Sequence, residues 1–454
     1  MDAIKNHFYI CSRKIKESIM SNQFSFDTLK LHAGYNPAEH NHAVSVPIYQ
    51  TTAFTLDTVK RSDDLFYFDS AEALYTRLSN PTTDVLDARL TALHPGATGA
   101  VTLSSGMAAV TYSLLNVTAG KGRILATARS YGGSFDSFEQ IFGETGVKYD
   151  IVENPDDPAN FEALVKEDTK VIYIESITNP NATILDIEAI ANIAHKHGIP
   201  LIVDNTVATP YLLNPFDFGA DVVVYSATKG LTGHGNVIAG AIVETNKFNW
   251  KNGKFPQFDG QPHFLVSQQG VPRSFYDVFP DTPFTGRIRA IHLNYLGGAI
   301  APFNSYLVLL GIETLSERLS KSVKSAEKIV EFLEGREEVA WVNHPHAKNS
   351  KYKALAAKYF PKGAGAILSF GLKANDRKTI IKFLEAVQVF SFQANIGDAK
   401  SLIINPSTTT HIELPPAAQK LADIHAETIR LSIGLEDVND LIADLTQAFE
   451  AIAK

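Results

Sequence analysis

Lys229 follows two hydroxyl residues, Ser226 and Thr228, where the apolar run 222–225 breaks into the turn Ser226-Ala227-Thr228-Lys229-Gly230. A lysine at the end of a strand is ordinarily a solvated loop residue. Its neighbours point to more: the two hydroxyls can bind an anion, and Gly233, Gly235 and Gly240 let backbone approach a bound group closely. Upstream, the apolar run 201–203 ends in the carboxylate of Asp204. A parallel α/β sheet places both strand ends along its carboxyl edge, where such sheets bind ligands. One lysine, one carboxylate and an anion cradle then share a crevice.

That combination suits covalent chemistry on an aldehyde. The attacking amine must be neutral, so the lysine belongs in a partly desolvated pocket that lowers its pKa from about 10.4. An aldehyde cofactor of the pyridoxal phosphate kind makes two further demands: an acidic residue beside its ring nitrogen, and hydroxyls with free N–H groups around its phosphate. Asp204, Ser226 and Thr228 supply those parts.

The elements that must position them follow from the hydrophobic pattern. Strands are expected at 100–103, 123–127, 149–152, 171–175, 201–204 and 222–226, mostly separated by helical segments, which implies a largely parallel sheet. Helices are expected over 84–93, 107–115 and 187–197; in the last, Ile187, Ile190, Ala191 and Ala194 share a face, Asp186 caps the start and Gly198 stops it. The turn Ser104-Ser105-Gly106 leads from strand to helix and puts Ser105, with the N–H groups of Gly106 and Met107, at a helix N-terminus. There the dipole favours phosphate by about 0.3–1 kcal/mol per charge, although a Ser-Gly pair also marks plain turns. It is not the G-x-G-x-x-G of a dinucleotide site.

Past a boundary near Gly298, a helix is expected over 302–319, followed by a smaller α/β domain with strands at 367–372 and 429–433. Arg430 falls inside the second of these apolar strands. It must be paired or face a cavity, and a bidentate bond to an amino-acid carboxylate is one way to satisfy it. The final helix carries Val438, Leu441, Ile442, Leu445, Phe449 and Ile452 at helical spacing behind Asp437 as cap. The expected organisation is a loose extension over 1–21, an arm over 22–79 that packs on another surface, a large cofactor-binding domain over 80–298 and a C-terminal domain over 299–454. Met20 is an alternative start codon.

The chain has 454 residues, 45% hydrophobic and 20% charged, which is ordinary for a globular protein of two or three domains. Its net charge of −8 argues against a nucleic-acid partner. A single cysteine, Cys11, allows neither an intrachain disulfide nor a cysteine-held zinc, so no metal is expected. No apolar run approaches the roughly twenty residues that span a bilayer. With no membrane segment and no clear signal peptide, the cytoplasm is the expected compartment.

SATK (226–229) followed by GHG (233–235), VDNT (203–206), LSSGMA (103–108), and Tyr75-Thr76-Arg77 ahead of Asn80-Pro81-Thr82 together resemble the Cys/Met-metabolism family of pyridoxal-phosphate enzymes. The resemblance runs from about Phe24 to the C-terminus. It implies a fold-type I pyridoxal-phosphate transferase, and within the family it is strongest toward the sulfhydrylase branch, which makes homocysteine and acetate from O-acetylhomoserine and sulfide. Asn395, the GHG sequence and a long aromatic-rich segment over 245–289 carry that finer likeness. O-succinylhomoserine sulfhydrylase, cystathionine γ-synthase and methionine γ-lyase are the neighbouring alternatives; a catalytically silent protein of the same fold is the alternative of another class.

By that resemblance Lys229 holds the cofactor and acts as base, and Asp204 pairs with the ring nitrogen. Ser105, Gly106, Met107, Ser226 and Thr228 surround the phosphate. Tyr131 stacks on the ring and assists proton transfer, where the residues alone equally allow a core tyrosine. Asn179 reaches the cofactor's ring oxygen and the substrate carboxylate, although Asn-Pro is also a common turn opener. Arg430 and Asn395 bind substrate. Tyr75 and Arg77 cross to the phosphate of a neighbouring subunit, where Tyr75 is a second candidate to protonate the leaving group; the resemblance implies a homodimer at least, and a tetramer. His411 is a further landmark, expected to act structurally or indirectly.

Overall fold

The computed structural model describes residues 24–453 apart from 180, 261, 268, 269, 413 and 415. The expectations for 1–21, with Cys11 and Met20, and for Pro180 lie outside the described residues.

Val, Ile and Leu fill the short runs after each helix so completely that both faces of these strands must be covered. Seven of them form one sheet in the order β1-β7-β6-β5-β4-β2-β3: β1 (Gly99–Leu103), β2 (Arg123–Thr127), β3 (Lys148–Val152), β4 (Thr169–Glu175), β5 (Leu201–Asp204), β6 (Val222–Tyr225) and β7 (Gly240–Glu244). Strands β3, β2, β4, β5 and β6 pair in parallel. The parallel ladder sets Glu175 opposite Asp204, and Asp204 opposite Val224. The residues that end these strands therefore line one edge.

Strand β7 is absent from the expected set. It runs antiparallel to both β6 and β1. The missed signal is the run Gly240–Glu244, whose five residues are too few to reveal direction by periodicity. Its first residue has a structural reason to be glycine: a Cβ on Gly240 would lie 2.0 Å from the Ser105 carbonyl oxygen.

Helix α1 (Pro81–Ala92) begins three residues before its expected start, because the Asn80 side chain accepts from Thr82 N at 3.0 Å and proline occupies the first turn. Helix α2 (Gly106–Thr118) and helix α3 (Ile187–Lys196) fall where the pattern places them, with Ser105 and Asp186 as caps. The single helix expected over 302–319 is two, α4 (Pro302–Glu313) and α5 (Leu315–Glu334), broken at Thr314. Gly311 on α4 packs so closely against the loop after Lys229 that a Cβ there would lie 2.3 Å from the Thr232 carbonyl oxygen. The segment over 245–289 packs Trp250 against Phe248, Phe255, Phe258 and Phe284 rather than looping free.

A second sheet has the order β10-β11-β12-β9-β8, with β8 (Val339–Asn343), β9 (Ile367–Leu372), β10 (Ser391–Phe392), β11 (Leu402–Ile404) and β12 (Thr428–Ser432). It is antiparallel except for β10 with β11. The short strands β8, β10 and β11 escaped the sequence pattern. The final helix (Val438–Ala453) buries Leu441, Leu445, Ala448 and Phe449.

Gly240→Ala should lower stability by about 1–3 kcal/mol, the usual range for overpacking, and loosen the start of α2. Urea unfolding checks the first effect. Wild-type stability in the variant would mean that the Ser105 turn yields freely.

Candidate active site

Lys229 sits in the turn that leaves β6, with its N–H on the Ser226 carbonyl at 3.1 Å and its own carbonyl accepting from Gly233 N at 2.8 Å. Its Nζ donates to Asn395 Oδ1 at 2.6 Å. Burial first, and then the positive charge of Arg430, lower the amine to about 8. A substantial neutral fraction near neutral pH is what attack on an aldehyde requires.

Two devices fix that loop. Arg318, reaching from α5, donates to the carbonyls of Gly230 (3.0 Å), Leu231 (3.2 Å) and Gly311 (2.7 Å). From the second sheet's side, Ala399 N donates to Gly233 O at 2.8 Å, and Gly397 lies so close that a Cβ would stand 2.7 Å from Gly230 N. The lysine is thus gripped by both parts of the chain. Arg318 left no sequence signal, since an arginine on an amphipathic helix is normally solvated.

At the edge of the sheet, Asp204 Oδ1 accepts from Thr206 N at 2.9 Å and Oδ2 from the Tyr173 hydroxyl at 3.3 Å. Glu175 accepts from Tyr131 N at 2.5 Å and from Asn179 N at 2.8 Å. Burial pushes both carboxyls upward, and the charge of Asp204 adds to the effect on Glu175. No cation relieves either of them among the described residues, so a protonated ring nitrogen placed against Asp204 would supply the missing charge. Glu175 could have been found from sequence: it ends a strand beside the one that Asp204 ends.

The anion cradle is built from the start of α2 and the residue after β6. Ser105 Oγ accepts from Ala108 N at 3.1 Å and caps the helix. Gly106 meets Ser226 so closely that a Cβ would lie 2.6 Å from the serine Cβ. The first N–H groups of α2, those of Gly106 and Met107, therefore open beside Ser226, whose own N–H is taken by Thr206 Oγ1 at 2.8 Å. Thr228 departs from the expectation that it offers a hydroxyl donor. Its Oγ1 donates to the Ala239 carbonyl at 3.1 Å and accepts from Ala239 N at 2.9 Å. A hydroxyl has one hydrogen, so Thr228 closes the loop here.

Arg430, on β12, is buried and has no carboxylate partner among the described residues: Nη1 donates to Asn179 Oδ1 at 2.6 Å and Nη2 to the Asn395 carbonyl at 3.2 Å. Burial lowers the guanidinium to about 10. Arg430 thus joins the Asn179 turn to the Asn395 loop, while Asn395 also touches the lysine. Tyr131, 39% exposed, begins the helix Gly132–Ser137. His411 is buried against Gly132, its Nδ1 2.9 Å from Thr410 Oγ1; burial and Arg430 lower it to about 3, so it is neutral.

Tyr75 and Arg77 are not brought to this crevice. They are exposed on the arm, with the guanidinium 5.1 Å from the tyrosine ring centre. The remaining expected residues converge: Asp204, at the end of β5, Lys229, Asn179, Tyr131, Ser105 and Ser226, in the turns after strands, and Gly106 and Met107, at the start of α2, stand along one edge, and Arg430 on β12 and Asn395 on the loop before β11 face them.

The profile of the Cys/Met metabolism PLP-dependent enzymes matches residues 27–450. An O-acetyl-L-homoserine sulfhydrylase of Leptospira meyeri is 39% identical, over 95% of this chain and 98% of its own. A homocysteine/cysteine synthase of Saccharomyces cerevisiae is 38% identical, over 94% and 98%. A crystal structure from Campylobacter jejuni, which contains N′-pyridoxyl-lysine-5′-monophosphate, superposes with a TM-score of 0.89 at 37% identity, covering 94% of this chain and all of its own. The unrelieved Asp204, the Gly106–Ser226 cradle and the desolvated lysine fit pyridoxal phosphate.

Protein freed of cofactor, incubated with pyridoxal phosphate and reduced with borohydride, should gain the cofactor's mass at Lys229. The capture rate should climb with pH through about 8 and then level, because the neutral amine accumulates as pH rises past the lowered value. Mass spectrometry after timed reduction reads both; a rate still climbing near pH 10 would mean an ordinary lysine.

Proposed function

We propose, from the fact that the chain belongs to the Cys/Met metabolism family of pyridoxal-phosphate-dependent enzymes, that it converts O-acetylhomoserine and sulfide to homocysteine and acetate, a step of methionine biosynthesis. The observation that carries this reading is the contact of Asn395 with both the lysine and the buried arginine, in a chain similar to sulfhydrylases along nearly its whole length.

Pyridoxal phosphate, when bound, supplies a sink for the electrons left at the α-carbon of an amino acid. The residues do the rest. Lys229 would hold the cofactor covalently, with Ser105, Gly106, Met107 and Ser226 around its phosphate and Tyr131 over its ring. Asp204 keeps the proton on the ring nitrogen. Arg430 takes the substrate carboxylate with Asn179 beside it, an exchange that gives a buried cation the anion it lacks. Freed when the substrate's amino group takes its place, Lys229 Nζ would take a proton from the substrate's α-carbon, give it up, and then take one from the β-carbon, while Asn395 Oδ1 orients that amine. Tyr131, or Tyr75 of a neighbouring copy, protonates the acetate as its bond to the γ-carbon breaks; sulfide then bonds to that carbon and the protons return to the β- and α-carbons.

The arm supports a shared site. Tyr75 and Arg77 point to no acceptor in their own crevice, and a homo-oligomer, dimeric or tetrameric, would place them at a neighbour's phosphate. Mixing Lys229→Ala with Arg77→Ala, each inactive alone, should restore activity in mixed assemblies. Activity that stays absent after subunit exchange would count against the arrangement.

Homocysteine release from sulfide should favour the O-acetyl over the O-succinyl ester. Preference for the succinyl ester would move the chain to the sister sulfhydrylase, and release of homocysteine from neither, with cofactor bound, would overturn the reading. Arg430→Ala should reduce kcat/KM by two orders of magnitude or more, since truncation removes a charge-assisted bidentate contact of about 3 kcal/mol or more. Steady-state kinetics measures it.

A further inference from the structure

Glu175 is 4% exposed and ends β4, the strand between β2 and β5. Nothing in the proposed reaction uses its carboxylate, yet its position is unfavourable on two counts. It is buried, and it stands opposite a second buried carboxyl, Asp204, in the parallel ladder. An apolar residue there would carry neither penalty. What the carboxylate does is visible in its partners: Oε1 accepts from Tyr131 N at 2.5 Å, and Oε2 from Asn179 N at 2.8 Å.

Those two amides belong to different turns. Tyr131 stands at the end of the turn after β2, where the helix Gly132–Ser137 begins, and Asn179 stands in the turn after β4 itself. The Asn179 side chain in turn holds Arg430 Nη1 at 2.6 Å. One carboxylate thus spans both turns with one oxygen each. No other side chain does this as well. Glutamine would turn an NH2 group toward one of two N–H donors, and aspartate is one methylene too short to reach both.

We propose that Glu175 is a positioning residue: its carboxylate ties the Tyr131 turn to the Asn179 turn and so sets the distance between the ring-covering residue and the residue that aligns Arg430 for a substrate carboxylate. This deepens the proposed function and rests on it for the roles of Tyr131 and Arg430. The strap acts through main-chain amides, so the side chain of Tyr131 stays free for a ligand and that of Asn179 for Arg430. Its effect falls on amino-acid binding rather than on cofactor retention, because Lys229, Ser105 and Ser226 are held by other contacts.

The test uses the cofactor-loaded protein with L-homoserine, which keeps the amino and carboxyl groups and lacks the acyl leaving group. Binding is read from the change in cofactor absorbance. Glu175→Gln should bind L-homoserine about tenfold or more weakly, the loss of one hydrogen bond to a charged group, while binding pyridoxal phosphate within about threefold of the native protein. Native affinity for L-homoserine, or equal losses of both affinities, would overturn the proposal. Hydrogen exchange on the native protein needs no variant to fold: the amides of Tyr131 and Asn179 should be protected well beyond an open turn, and exchange at open-turn rates would overturn the strap. Neither reading depends on turnover. A chain that proves to use another acyl ester leaves the strap intact, and a failed strap leaves acetyl-ester turnover untouched.

Discussion

Two cations and two carboxyls, Arg430 and Glu175 buried and Lys229 and Asp204 half-buried, meet at one edge of a parallel sheet without neutralising each other. Lys229 and Arg430 lie on one side of the crevice, where the guanidinium's charge disfavours the protonated amine. Asp204 and Glu175 lie side by side on adjacent strands. Burial of unpaired charge costs several kcal/mol per group unless protons shift or partners arrive. The site responds with displaced pKa values and with hydrogen bonds from main-chain amides, and it leaves space for a molecule that carries the complementary charges. A pyridinium suits Asp204, a phosphate suits the start of α2, and an amino-acid carboxylate suits Arg430. The ligand set is the pattern of unmet charge read in reverse.

The rest of the fold holds that arrangement open. The parallel ladder β2-β4-β5-β6 brings strand ends into line, which places the carboxyls and the lysine turn along one edge. The second sheet contributes Arg430 on β12 and the loop that carries Asn395, Gly397 and Ala399. Close backbone approach at Gly240, Gly311 and Gly397 locks the pieces together. These glycines are placed where a single methyl group would part the two halves of the site.

How much of this was legible depended on whether a residue's role was local. Strands β2, β4, β5 and β6 are apolar runs with turn residues behind them, and period alone located them within a residue or two. Lys229, Asp204 and Ser105 each end or follow such a run, so their places on the edge followed directly. Strand β7 and the short strands of the second sheet were not legible, because runs of two to five residues carry no direction. The bonds of Thr228 to Ala239 were not legible either, because they close a loop that no pattern records. Glu175 ends a strand as Asp204 does and was open to the same reading, whereas Arg318 reaches the carbonyls of Gly230 and Leu231 far away in sequence, and a contact of that kind leaves no mark on spacing. Tyr75 and Arg77 took their meaning from family resemblance alone.

The lysine must serve twice, and the charges around it suit both tasks. To capture an aldehyde it must be neutral, which burial and the nearby guanidinium promote by lowering it to about 8. To take a proton from carbon it must be a strong enough base, which the same lowering opposes. A substrate carboxylate on Arg430 would cancel the second of the two causes and leave only burial. The amine would then become more basic when a substrate is present, with no movement of the fold. Asn395 is placed to serve both states, because its side-chain oxygen meets the amine while its carbonyl meets the guanidinium. One residue thereby touches both cations, so the amine and the guanidinium of the proposed reaction share a contact as well as a field.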